Sequence, residues 1–132
     1  MEVLLVEPGK EARIAEIGND LKSLQAAVGG YIEATYPFDD PVALVCNDEG
    51  KIMQMPLNRA LRGEDGRIYD AIAGSFFICG LGEDNFCSLP KDLQAKYLEK
   101  FRWPEKFLTV GGNLVAVQDR PSEAAHKPAP ER

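Results

Sequence analysis

Histidine is almost absent from this sequence. His126 is the only one, and it lies in a polar stretch near the C-terminus. A general base must be held within hydrogen-bonding distance of the group it deprotonates, and a flexible polar tail cannot hold it there. We therefore expect neither a Ser-His-Asp nor a Cys-His mechanism, and we predict no catalytic residue.

Cysteine is also scarce and gives no metal motif. The chain has three cysteines, and Cys46, Cys79 and Cys87 form no CxxC pair of the kind that zinc sites use. Cys46 and Cys79 lie inside apolar runs, where reduced and buried thiols are expected. We predict no metal and no cofactor, and a cytoplasmic location.

The sequence lacks long apolar runs and basic clusters. No run approaches the roughly 20 residues that cross a bilayer, and the first residues resemble a strand and not a signal peptide, so no membrane association is expected. Acidic residues number 21 against 15 basic ones, which gives a net charge of −6. We expect no direct nucleic-acid binding, because it requires cations that neutralise phosphates. Mimicry of DNA by an acidic protein is left open.

The segment from residue 20 to residue 47 carries the clearest structural signals. Asp20 is a candidate N-cap for a helix that Gly29-Gly30 ends, since glycine adopts the left-handed conformation without steric cost. Residues 31–36 alternate like a strand, and residues 37–41 contain two prolines and two aspartates typical of a turn. Residues 42–46 are apolar without a break, which predicts a strand buried on both faces.

The rest of the chain predicts more strands and a second helix. Strands are expected at residues 3–6, 51–55 and 74–81, and a hairpin at 107–110 and 114–117, whereas residues 10–17 and 56–61 look like less regular connections. Residues 67–73 alternate only in part. A helix with Ser88 as its cap and Pro90 in its first turn carries an apolar stripe up to Phe101.

These elements predict a single α+β domain at residues 1–118. We expect a mixed, mostly antiparallel β-sheet with central strands at 42–46 and 75–81, covered by the two helices. Residues 119–132 are too polar to offset the entropy of ordering them, so a disordered tail is predicted.

A few polar and aromatic residues are candidates for ligand binding. Arg59, beside Asn58, lies between apolar residues, and its planar guanidinium could hold a carboxylate or phosphate. The alternative for Arg59 is a structural salt bridge, for example with Asp70, which is itself a candidate ligand-binding residue. Tyr31 and Tyr36 could stack on a ligand or could simply pack on the sheet.

Several segments resemble a known family. They are Leu24-Gln25, Val28-Gly29-Gly30-Tyr31-Ile32-Glu33, Asn58-Arg59-Ala60, and the stretch from Ile68-Tyr69-Asp70 to Gly74-Ser75-Phe76-Phe77. They resemble the bacterial and phage proteins catalogued as domain of unknown function 3846, over roughly residues 3–81. The resemblance supplies no catalytic residues. It implies a small accessory product of a phage, plasmid or other mobile element in a bacterial cytoplasm.

Three functions remain in competition. The leading hypothesis is a non-catalytic accessory protein that binds a host protein or a small ligand. A small enzyme that uses carboxylates and a metal, with Asp39, Asp40 and Asp70 as candidates, is the first alternative. A nucleic-acid-related or DNA-mimic protein is the second. An exposed sheet edge could also support a homo-oligomer.

Overall fold

The computed structural model describes residues 1–121 of the chain, which form a single α+β domain. Most of the predicted tail, residues 122–132, lies outside this part. The strands are β1 (Glu2–Val6), β2 (Arg13–Glu16), β3 (Ile32–Thr35), β4 (Val42–Asn47), β5 (Leu57–Arg62), β6 (Ile68–Ala73), β7 (Phe76–Leu81), β8 (Phe86–Cys87), β9 (Glu105–Val110) and β10 (Asn113–Gln118). The helices are α1 (Leu21–Val28) and α2 (Lys91–Phe101).

The main sheet has the strand order β2-β1-β7-β4-β3, and β8 pairs with β7. Its neighbouring strands are antiparallel, as are the two strands in each of the separate hairpins β5–β6 and β9–β10. Strand β4 is buried along its whole length, and β7 is buried up to its last residue. The predicted central strands are therefore confirmed, because continuous apolar runs are stable only where both faces of a sheet are covered.

The two faces of the sheet are covered by different elements. Helix α1 packs Leu24 and Val28 on one face, against side chains that include Val45 and Phe77. The opposite face packs against α2 and against the β5–β6 hairpin, which contributes Leu61. A helix therefore lies on each side of the sheet, and the β5–β6 hairpin shares one side with α2.

The ends of the helices are only partly as predicted. Asp20 caps α1 by accepting a hydrogen bond of 3.2 Å from the Ser23 N–H, and Gly29 ends the helix at a φ of 79°. Ser88 does not cap α2, because Pro90 takes the N-cap position without a side-chain bond. The Ser88 hydroxyl instead accepts a bond of 2.8 Å from the Glu2 N–H and ties β1 to the segment before α2.

The predicted strand at residues 51–55 is wrong. These residues begin with a turn, in which the Met53 N–H donates to the Glu49 carbonyl at 2.8 Å and Gln54 takes a positive φ of 59°. Ile52 and Met53 remain exposed, so no burial is gained that could stabilise a strand. Two segments expected to be less regular contain strands: β5 covers most of residues 56–61, and β2 lies within 10–17.

Asn58 on β5 is buried and binds two segments of backbone. Its amide nitrogen donates to the Val6 carbonyl at the end of β1 and to the Gly74 carbonyl, each at 2.9 Å. Its side-chain oxygen accepts a bond of 2.9 Å from Arg59 Nη1. Each polar atom of this amide thus has a partner, as a buried amide requires.

Arg59 is buried beside Asn58 and binds carbonyl groups. Its Nε donates to the Phe101 carbonyl at 3.0 Å, and its Nη2 donates to the Lys10 carbonyl at 2.7 Å. Burial lowers the pKa of Arg59 to about 10, an effect that the nearby Glu105 carboxylate opposes. The Phe101 carbonyl is at the C-terminus of α2, where the helix dipole favours a cation. We call Asn58 and Arg59 together the polar latch.

The polar latch should contribute strongly to stability. We expect Arg59→Ala to lower the free energy of unfolding by roughly 3 kcal/mol or more, because it leaves a cavity and removes the donors from buried carbonyls. Urea unfolding followed by circular dichroism measures this loss. The control is Arg67→Ala in the same hairpin, an exposed position where the change should stay within about 0.5 kcal/mol. A loss below about 1 kcal/mol for Arg59→Ala would contradict the latch.

Candidate functional site

A groove runs between the edge of the main sheet and the β5–β6 hairpin. It arises because strand β6 of the hairpin packs against β4, while β3 is the outermost strand of the sheet. The register places Glu33 opposite Cys46 and Thr35 opposite Leu44, so both β3 side chains lie on the hairpin's side of the sheet. The groove has a volume of about 410 Å³, and we call it the β3–β6 groove. Its lining includes Glu33, Thr35, Tyr36, Cys46, Asp48, Lys51, Ile52, Tyr69, Asp70 and Ile72.

The rim of the β3–β6 groove exposes large apolar side chains. Tyr36 is 61% exposed, Tyr69 is 59% exposed and Ile52 is 81% exposed. Tyrosine presents a broad apolar face together with a hydroxyl that can donate or accept a hydrogen bond, so it suits surfaces that are wet when free and covered when bound. These side chains would therefore lose contact with water if the groove were filled.

A second depression continues from the β3–β6 groove along β6. It has a volume of about 910 Å³, lies between β6 and β10, and shares Lys51, Tyr69, Asp70 and Ala71 with the groove. Arg62 in this depression is already bound to the Ala116 carbonyl at 3.1 Å, and its other terminal nitrogen is 3.4 Å from the Glu105 carboxylate. The surface along β6 is thus long and open, with carboxylates at the β3 end and arginines at the β10 end.

The charge in the β3–β6 groove is predominantly negative. Glu33, Asp48 and Asp70 face one cation there, Lys51, which binds the Asp70 carboxylate at 2.5 Å. Within residues 1–121, neither Glu33 nor Asp48 forms an ion pair. Burial, followed by the charges of Glu33, Asp70 and Asp48, raises the pKa of the Cys46 thiol to about 11. The thiol is therefore protonated at neutral pH and is a poor nucleophile.

The structure brings together two of the five candidate ligand-binding residues. Tyr36 and Asp70 line the β3–β6 groove. Tyr31 is 68% exposed and lines a separate depression of about 250 Å³ beside the end of α1. Asn58 and Arg59 are inside the protein in the polar latch, away from both surfaces. The suggested ion pair between Arg59 and Asp70 is not formed, because Arg59 binds carbonyls and Asp70 binds Lys51.

Tyr69, Ile52 and Glu33 line the groove, although the sequence alone does not mark them as candidates for ligand binding. Tyr69 lies between Ile68 and Asp70 in the segment that alternates only in part, so its sequence neighbours give no signal that its side chain is exposed. Ile52 follows Gly50-Lys51 and was assigned to a strand that does not form. Glu33 stands out in the sequence only as part of the segment that resembles the family, since its position beside the hairpin depends on tertiary structure.

The carboxylates suggested for a metal-dependent enzyme do not gather in one place. Asp40 accepts bonds of 2.6 Å from Lys96 and from the Tyr97 hydroxyl, and the bond from Lys96 contributes most to lowering the Asp40 pKa. Asp70 lies in the β3–β6 groove, bound to Lys51 and to the Ala71 N–H. In residues 1–121 no three His, Cys, Asp or Glu side chains form a group that could hold a metal ion.

The fold and the groove define the class of this protein: a single α+β domain with an open, acidic and aromatic groove beside one edge of its sheet. The chain belongs to the family described as domain of unknown function 3846, whose model matches residues 1–102. No curated protein and no solved structure matches the chain. Within the residues that the structure describes, no helix is both long enough and apolar enough to cross a membrane.

The titration of Cys46 reports the burial of its thiol and, through the effect of Glu33, the negative potential of the groove. We expect a thiol pKa near 11 in the folded protein, against an ordinary value of 9.0. Glu33→Gln should lower it, because a nearby negative charge disfavours the thiolate. The measurement is a pH titration of the ¹³Cβ chemical shift in cysteine-labelled protein. Glu83→Gln, in the exposed loop between β7 and β8, is the control and should leave the Cys46 pKa unchanged. A Cys46 pKa that Glu33→Gln leaves unchanged would contradict the acidic groove.

Proposed function

We propose that this protein is a non-catalytic binding protein that holds a partner protein or a small ligand in the β3–β6 groove. The observation that carries the proposal is the exposure of Tyr36, Tyr69 and Ile52 around one concave surface. Burying apolar area contributes about 25 cal/mol per Å², and tyrosine is among the residues that most often dominate binding energies. A concave surface with a few charged groups also suits recognition.

The setting that we propose rests on family membership. The family resemblance at the α1–β3 junction and along β6 suggests an accessory protein of a phage or another mobile element, working in a bacterial cytoplasm. In such a setting a small binding protein can act by binding a host protein and interfering with its activity. The groove supports the proposal that the protein binds a partner. The proposal that this partner is a host protein rests on the family setting alone.

Photo-crosslinking in bacterial cells tests the groove as the binding site. A photoreactive phenylalanine analogue placed at Tyr36 or at Tyr69 should capture the same partner, because both positions face one groove. The matched control is Tyr31, which is equally exposed but lies in a different depression. The adducts are separated and identified by mass spectrometry. Capture of the same species with equal yield at all three positions, or of none at the two groove positions, would contradict the proposal.

The same experiment can test the absence of catalysis. The captured partner, prepared separately and incubated with the unmodified protein, should keep its mass, because the proposal assigns only binding to the groove. Mass spectrometry at successive times measures this. A partner that is cleaved or modified by the wild-type protein, and not by a Tyr36→Ala/Tyr69→Ala variant, would identify an enzyme.

A further inference from the structure

The charge and shape of the β3–β6 groove point to a particular kind of occupant. We propose that the groove binds an extended, basic segment of a partner protein, which adds as a strand to the free edge of β3. This inference rests on the proposed function, and it goes further by naming the chemistry of the partner and the mode of docking. Three features of the described residues support it: the groove's charge, the open strand edge and the length of the surface.

The charge of the groove selects for cations. Glu33 and Asp48 carry no ion partner within residues 1–121, whereas the single ammonium in the groove, Lys51, is bound to Asp70. A lysine or arginine side chain of the partner can pair with the two free carboxylates and lie against the faces of Tyr36 and Tyr69. An acidic segment would meet repulsion at the same place. The charge complementarity therefore favours a basic occupant at the β3 end of the surface.

The outer edge of β3 offers backbone hydrogen bonds. The Asp48 N–H donates to the Tyr31 carbonyl at 2.8 Å, and the β3–β4 register continues from that pair without a shift. In an antiparallel ladder the inward-bonding residues alternate, so Glu33 and Thr35 bond to β4 while the N–H and C=O groups of Ile32 and Ala34 point outward. Within the described residues no strand covers this edge, since β3 ends the sheet. An open edge is a ready template for an added strand.

The orientation of β3 connects its edge with the groove. The side chains of Glu33 and Thr35 lie on the groove side of the sheet. Every second side chain of an added strand would also lie on that side. A segment docked on the edge thus places alternate residues next to Glu33 and Tyr36, and the open depression along β6 leaves room for long side chains. A compact small molecule would use only part of this surface.

Selection from a random peptide library tests the inference. A 12-residue library displayed on phage is selected on the full-length protein, after depletion on the Tyr36→Ala/Tyr69→Ala variant. We expect the enriched peptides to carry lysine or arginine at alternate positions. A synthetic, fluorescein-labelled copy of the most enriched peptide then gives Kd by fluorescence anisotropy. Glu33→Gln/Asp48→Asn should raise Kd at least about tenfold, which corresponds to about 1.4 kcal/mol.

Two controls separate the effect of the groove's charge from loss of fold and from the protein's net charge, and a third experiment tests strand addition. Glu83→Gln/Asp84→Asn removes the same charge from the exposed loop between β7 and β8, so Kd should change less than twofold. Circular dichroism of each variant confirms that it is folded. Methylation of alternate backbone nitrogens in the peptide should weaken binding in one register and not in the other, because only every second N–H of an added strand bonds to β3.

The outcomes distinguish failure of the basic-strand inference from failure of the proposed binding function. Groove-dependent peptides without basic residues, or equal effects of methylation in both registers, overturn the basic-strand inference and leave the groove as a binding site. If no groove-dependent peptide is selected, the inference also fails, and the crosslinking at Tyr36 and Tyr69 decides the proposed function independently. Loss of binding in the Glu83→Gln/Asp84→Asn control would show that net charge alone attracts the peptide, and would likewise overturn the inference.

Discussion

The burial of one arginine that has no hydrogen-bonded carboxylate constrains how the parts of the fold are placed. Arg59 carries its charge into the interior, where its donors bind carbonyl oxygens instead of a carboxylate. Desolvating a guanidinium is costly, so it can remain buried only while its hydrogen bonds are made. Those bonds reach the loop after β1 and the end of α2, and Asn58 beside it binds the end of β1. The polar latch thus makes the position of the β5–β6 hairpin depend on two other parts of the chain.

The groove follows from the position that the latch imposes. The β5–β6 hairpin and helix α2 share one face of the main sheet, whose strand order is β2-β1-β7-β4-β3. Strand β6 is the part of the hairpin that contacts β4. The outermost strand, β3, keeps Glu33 on that face beside the hairpin. A hairpin tied down by the polar latch therefore forms a groove wall with Tyr69 on it. A preformed wall reduces the ordering entropy that binding would otherwise cost.

The sequence alone predicts an element correctly where burial produces a continuous apolar run or where the signals are local. The apolar runs at residues 42–46 and 75–81 identified the central strands, and Asp20 and Gly29 marked the ends of α1 through purely local hydrogen bonds. The sequence alone does not predict a residue's role where its hydrogen-bond partners are distant along the chain. Arg59 was recognised as unusual, but its partner carbonyls come from residues 49 and 42 positions away, so a buried latch and an exposed ligand site look alike in sequence. The groove residues share no sequence motif, because β3, the turn after β4 and β6 meet only in the folded protein.

The turn at residues 51–54 adds an energetic argument for the same surface. Gln54 adopts a positive φ of 59°, a conformation that is uncommon for residues other than glycine. The neighbouring Ile52 and Met53 are exposed, so this turn combines backbone strain with unburied apolar area. Both features cost free energy in the unbound protein, and strained residues are retained only where the surrounding structure enforces them. Because Ile52 lies on the rim of the β3–β6 groove, an occupant that covers it would recover the part of that cost that comes from unburied apolar area.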